Sequence, residues 1–499
     1  MIPLTEPLAV PPLRRRPLPR PGSLRLGLPV RMLWAVALIV LSQPMSWSLL
    51  GIIQRDDPNS WMLLGYTVLS ALAYWRAVRW LPLSVTPFIF IVFFLVSYPL
   101  RVVVVEQSID LNNASGDSTF VGGFGFSTDE YVVYYLASLA GLAGLLAGAG
   151  VVLHLTRSLR LNLNREDNRR VPNPSSAYLL WLIATISVSL TCFGLGIGLA
   201  GIQPPRLPLH LTGFLNYLRL AILPLAGLIL FGFAYDRRDK GVVVAMLIFL
   251  FVYGAVAVMM TLSKVAVMYA LSPYVFYLLL RGTWNVFTRR ILIGSFVAIL
   301  LVLPITYFGA MVLRDEAWSN QKGLRSDAFK DTVTDHLGSE YSATGLWQIT
   351  LSAFGSRVTG GSELMAVLAA NPYPIERSLA LLLGRGAAPD SGVSSMFTDI
   401  FGVTLISSGE EGGLYTGKAF GLFGVLFLGH SYLLMFLGSA FFAGGLVWLE
   451  LLARRYGNEA FACGLAFLLA LAFWESGFDS LVYYPPVLVC FFAVLHRIK

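Results

Sequence analysis

From Tyr131 to Leu155 the chain reads YVVYYLASLAGLAGLLAGAGVVLHL, without one charged residue. An α-helix needs about 20 such residues to cross the hydrocarbon core of a bilayer. The pattern recurs along the whole chain. It predicts twelve spans, at 32–53, 60–75, 84–105, 130–154, 176–200, 213–235, 241–260, 265–280, 291–312, 425–450, 460–477 and 481–496. The apolar fraction is 56%, charged residues make up 13%, and mean hydropathy is +0.70. Soluble domains average about 45–50% apolar and 25% charged. Because backbone polar groups inside lipid must be satisfied within the segment, the chain reads as an all-α, polytopic integral membrane protein.

Only TLSK, residues 261–264, separates two apolar runs between 241 and 280. A single span of that length exceeds what a bilayer accommodates, so a tight turn is expected near Lys264. The six arginines Arg14, Arg15, Arg16, Arg20, Arg25 and Arg31 precede the first run, which lacks a small-x-small cleavage pattern and reads as a retained signal anchor. Lys and Arg set orientation where loops are short. With the N-terminus inside, the short outer segments keep only Arg55, Arg101, Arg206, Arg219 and Lys264, and both termini are expected to be cytoplasmic.

The expected organisation is a basic cytoplasmic tail (1–31), transmembrane helices 1–9 (32–312), a large periplasmic loop with short helices (313–418), and helices 10–12 with a short tail (419–499). The long loop exceeds what an undecorated connection needs. Within it, 346–358, 362–370 and 376–384 have helical apolar spacing broken by Gly or Pro. A second outer loop, 106–129, is rich in Asp, Asn, Ser and Gly. The net charge of +8 is explained by topology, so nucleic acid is not an expected partner. Cys192, Cys463 and Cys490 sit in apolar runs without metal or disulfide spacing and read as packing residues.

Ionisable residues at apolar spans are costly and point to function. Arg219 in NYLRLAILP, Lys264 in TLSK, and Glu475 and Asp479 in FWESGFDS all fall toward the outer ends of their spans. The competing reading for each is a side chain that snorkels to the headgroups. In SAFGSRVTGGSELMAV, Arg357 precedes Gly360 and Gly361, Ser362 is a good N-cap, and Glu363 lies in the first turn of the helix it starts. Backbone N–H groups at a helix start, close-approach glycines and a guanidinium together make a phosphate cradle. Arg377 and Arg385 flank the next short helix. His336 in TDHLGSEY is a candidate base, as are Glu363 and Glu410; Glu410, Glu411, Tyr415 and Lys418 stand where the loop re-enters the membrane. No nucleotide-binding or metal-ligand motif occurs in suitable context, so no cofactor and no metal are expected.

GFLNYLRLAILPL (213–225), TLSK, FGSRVTGGSEL, YTGKAFGLFGVLFLG and FWESGFDSL together resemble the Wzy-type O-antigen or exopolysaccharide repeat-unit polymerases, which are related in architecture to the O-antigen ligases. The resemblance covers about residues 180–480. The Arg-x10-Gly spacing of some members is absent: Arg357, Arg377 and Arg385 each have a non-glycine eleven positions on. The resemblance implies a GT-C-like glycosyltransferase at the periplasmic face of the inner membrane. Its substrate would be an undecaprenyl-diphosphate-linked oligosaccharide, with membrane lipids, a flippase and a chain-length regulator as partners. Arg357, Arg219, Lys264, Arg385 and Lys418 would bind the diphosphate, and Glu363, His336 or Glu410 would act as the base. Glu475, Asp479, Gly360 and Gly361 would form the rim. The alternatives are a ligase of similar chemistry and, in a different class, a transporter of lipid-linked sugar. A transporter would be expected to show mid-bilayer charges and inverted-repeat halves.

Overall fold

In the computed structural model the described residues are 48–54, 58–99, 128–158, 174–197, 211–261, 265–280, 287–298 and 421–475, apart from 82 and 296, together with 42, 45, 46, 207, 208, 364, 367 and 368. These residues form helices and turns, with no strand among them. The chain is a helical membrane protein. Among the described residues five helices are long and apolar enough to cross a bilayer: Tyr131–Thr156, Ser176–Gly194, Leu211–Asp236, Lys240–Val258 and Tyr432–Arg455.

The helices in order are α1 (Pro58–Trp80), α2 (Thr86–Ser97), α3 (Thr128–Ser158), α4 (Pro174–Gly194) and α5 (Leu211–Tyr217). A π-helical turn, Leu218–Ile222, joins α5 to α6 (Leu223–Asp236). Then follow α7 (Lys240–Thr261), α8 (Val265–Leu280), α9 (Gly421–Phe427), α10 (Tyr432–Tyr456) and α11 (Glu459–Glu475). Helix α7 ends at Thr261 and α8 begins at Val265, so the apolar stretch 241–280 is divided at TLSK, as its sequence requires. The run read as one span at 425–450 is divided differently. Helix α9 stops at Phe427, His430 adopts φ 50°, and Ser431 caps α10 by accepting from the Leu434 N–H at 3.3 Å. The main helix therefore starts at Tyr432 and continues past Glu450 to Tyr456, because a side-chain cap and a left-handed residue outweigh the apolar continuity of FLGHSYLL.

Spans predicted at 481–496 and over most of 32–53 and 291–312 lie outside the described residues, as does almost all of 313–418, where the long loop is expected.

In lipid the hydrophobic effect does not drive helix against helix, so close approach depends on small residues. The sequence GLAGLLAGAG in α3 supplies them. A Cβ on Gly144 would collide with the Phe436 carbonyl, and one on Gly148 with the Ala440 carbonyl. These contacts advance in step along both helices, so α3 and α10 run parallel at backbone contact. By contrast, the α4 side chains Leu180, Ile183, Leu190 and Phe193 are exposed, as suits a helix facing hydrocarbon, while Trp181, Thr185 and Cys192 turn inward.

The two ends of the bundle differ in chemistry. At one end lie Arg76 and Arg79 of α1, the turn bearing Arg237, Arg238 and Lys240, the pair Arg289 and Arg290, and Arg454 and Arg455 of α10. Near this end Asn458 donates to the Ile229 carbonyl at 2.8 Å, tying α11 to α6. The opposite end is aromatic: Tyr98, Phe94, Phe423 and Trp474 form one cluster, with the Trp474 indole donating to the Ser97 hydroxyl at 2.5 Å.

Candidate functional site

Arg219 lies in the π-helical turn, eight residues after the start of its membrane helix. At 1.5 Å per residue that is about 12 Å below the helix end. The residue is only 3% exposed, so it does not snorkel to the headgroups. Its Nη2 donates to Asn216 Oδ1 at 3.1 Å, and its Nε has no acceptor. Among the described residues no carboxylate pairs with it. A buried guanidinium with one neutral acceptor and an unused N–H is costly in a low-dielectric setting, and an anionic group would relieve that cost.

The turn exists because of its neighbours as well as its own sequence. Pro224 has no N–H to continue the helical ladder, which favours a wide turn before it. Three helices then donate into the backbone around it. The Tyr253 hydroxyl of α7 donates to the Arg219 carbonyl at 2.8 Å, the Trp181 indole of α4 to the Leu223 carbonyl at 2.7 Å, and the Tyr274 hydroxyl of α8 to the Pro224 carbonyl at 2.6 Å. Single π-turns are frequent at functional sites. Cys192 is buried close to Arg219, and its Sγ lies 3.7 Å from the Leu215 carbonyl.

Glu475 is the final residue of α11, directly after the buried Trp474, at the aromatic end. The helix directions bring the ends flanking Lys264 and the start of the Arg219 helix to this same end. His336, Arg357, Gly360, Gly361, Glu363, Arg385, Glu410, Lys418, Lys264 and Asp479 themselves lie outside the described residues, as do Arg377, Glu411 and Tyr415. Next to Glu363, however, Leu364, Val367 and Leu368 are helical, and Leu364 and Val367 are buried in the main core. His430 Nε2 donates to the Val367 carbonyl at 3.0 Å, since a carbonyl can only accept. Val367 is thus held at the turn between α9 and α10. His430 was not singled out from sequence, although a His between Gly and Ser at a break in an apolar run was the available signal.

A second polar cluster, at the arginine-rich end, was also missed. Glu450 is fully buried and accepts from the Ser84 hydroxyl, from Val85 N at 2.9 Å, and from the Thr86 N–H and hydroxyl at 3.0 and 2.8 Å. Arg454 adds Nε and Nη2 contacts at 3.1 and 2.8 Å. Helix α2 has no side-chain cap of its own, and the Glu450 carboxylate supplies one from across the bundle. Its oxygens are saturated with donors, so it reads as a fastening rather than a base. No group of metal-ligating side chains occurs among the described residues.

Comparison with known protein families, curated proteins and solved structures yields no match.

Proposed function

We propose that the protein polymerises undecaprenyl-diphosphate-linked oligosaccharide repeat units at the periplasmic face of the bacterial inner membrane, as a metal-independent glycosyltransferase. The observation that carries this reading is Arg219: a buried cation in a π-helical turn, with a free Nε and no described counter-charge. A departing diphosphate needs cations where negative charge develops, and an attacking sugar hydroxyl needs a base. Arg219, Arg357, Lys264, Arg385 and Lys418 are the proposed cations; Glu363, His336 and Glu410 are the proposed bases.

In this reading the twelve spans stand with both termini cytoplasmic, and 313–418 forms the periplasmic loop. The concentration of Arg and Lys at one end of the bundle supports the orientation through the positive-inside rule. The docking of Leu364 and Val367 at the other end supports a loop that returns to the membrane surface beside the site.

The test uses a host whose own polymerase is deleted. Arg219→Ala and Arg357→Ala should insert normally yet shift long polysaccharide to the single-repeat product, a loss of at least tenfold in polymer for removal of one charge-assisted contact. Wild-type chain length in well-expressed variants would sink the diphosphate role. Lipid-linked substrate stranded on the cytoplasmic side would argue for transport instead.

A further inference from the structure

We infer that Tyr253 is a positioning residue for Arg219: its hydroxyl holds the π-helical turn open and thereby aims the guanidinium at the bound anion. The inference rests on the proposed reading that Arg219 meets a diphosphate, and it assigns the control of that contact to a different helix.

In a π-helical turn the carbonyl of residue i is met by the N–H of residue i+5. For Arg219 that residue is Pro224, which has no N–H. The carbonyl is left for an outside donor, and Tyr253 supplies one at 2.8 Å. Without that donor the carbonyl would be a buried orphan, and the chain would recover a partner by tightening toward the α register, in which the N–H of Leu223 turns from the Leu218 carbonyl to that of Arg219. Each residue of an α-helix turns the next side chain by about 100°, and a π-turn inserts one extra residue, so closing the turn swings Arg219 away from its present direction.

The surroundings separate positioning from simple packing. Tyr253 touches the backbone of Arg219, while among the described residues the charged end of the side chain is held by Asn216 alone. Ser189 of α4 lies near the Tyr253 hydroxyl, and its own hydroxyl donates to the Thr185 carbonyl at 2.7 Å, so the Tyr253 proton is left for the Arg219 carbonyl. The neighbouring donors Trp181 and Tyr274 meet Leu223 and Pro224, past the turn, and anchor the rest of the helix. The guanidinium direction is therefore set by a tyrosine on α7, one helix away in the bundle.

The experiment is a double-mutant cycle on the full-length protein in nanodiscs, with undecaprenyl diphosphate as titrant and inorganic diphosphate as competitor. Tyr253→Phe keeps the ring and removes only the donor. It should weaken binding by about tenfold, the scale of one lost buried hydrogen bond. The same substitution placed in Arg219→Ala should change nothing further, because its effect runs through the guanidinium. Unchanged affinity in Tyr253→Phe, an equal loss in both backgrounds, or a wild-type protein that binds neither ligand would each overturn the inference. The polymer-length assay judges the enzymatic reading separately. Coupled binding without polymer would leave the positioning role standing and remove the polymerase; polymer with no Tyr253 coupling would do the reverse.

Discussion

At the scale of single residues, the buried Arg219 and the half-buried Arg454 make opposite uses of the same chemistry. Arg454 has its charge answered by Glu450, and Glu450 spends its remaining lone pairs on the start of α2. Arg219 has Asn216 and an unused Nε. The first arrangement is closed and the second is open, which is why one reads as structure and the other as a site. The closed cluster carries its own prediction. Removing Glu450 leaves Arg454 with only the longer 3.8 Å contact to Glu459 among the described residues and uncaps α2, and breaking a buried pair costs about 3–5 kcal/mol. Glu450→Ala should therefore lower the thermal midpoint of the purified protein sharply. Glu450→Leu combined with Arg454→Met should recover much of that loss, since no buried charge is then left unpaired and Glu459, which loses its 3.8 Å contact with Arg454, is about one-third exposed. A Glu450→Ala protein as stable as the wild type would show that the carboxylate is dispensable. From sequence, Arg219 was visible as a charge in an apolar run, but its burial was not: both snorkelling and enclosure fit NYLRLAILP. Glu450 was invisible because its partners, Ser84 to Thr86, lie more than 360 residues away.

At the scale of elements, among the described residues apolar runs coincide with helices, and their interruptions were read less well. TLSK was legible because length alone forbade a continuous helix. The π-turn was not, because Pro224 in LRLAILPL permits either a kink or a helix start, and the choice is made by Trp181, Tyr253 and Tyr274 from three other helices. The break at Gly429 and His430 was missed for a related reason: four residues between two apolar runs carry little weight until Ser431 is seen to cap α10. The parallel contact of α3 and α10 yields a sharper test. Gly148→Ala places a methyl against the Ala440 carbonyl, and the helices must separate. The expected cost is about 1–3 kcal/mol, as for other overpacked sites. Gly445 of α10 has nothing within 4 Å of its added Cβ, so Gly445→Ala should be neutral or slightly stabilising, by about 0.4–1 kcal/mol at most. Thermal midpoints measured side by side in one detergent would compare them; equal losses would mean that helix propensity, not contact, governs both.

At the scale of the whole molecule, orientation links the fold to the proposed chemistry. If the arginine-rich end faces the cytoplasm, the Glu450 cluster fastens the inner side. The end that receives Val367, Trp474 and the start of the Arg219 helix is then the one where lipid-linked sugar would arrive. Insertion energetics favour this arrangement, since short loops bearing Arg237, Arg238, Lys240, Arg289 and Arg290 are retained on the inner side. Arg238 is well suited to report it, being exposed in a turn between two membrane helices. In a background with Cys192, Cys463 and Cys490 replaced, Arg238→Cys should react with a membrane-impermeant maleimide only after the inner membrane is opened. Ser391→Cys, in the proposed periplasmic loop, should react in intact spheroplasts. The reverse pattern would invert the molecule, and Arg219 would then lie nearer the cytoplasmic leaflet. A periplasmic polymerase could not use it there, whereas an anion site opening to the cytoplasm would suit an enzyme that meets its lipid-linked substrate before export.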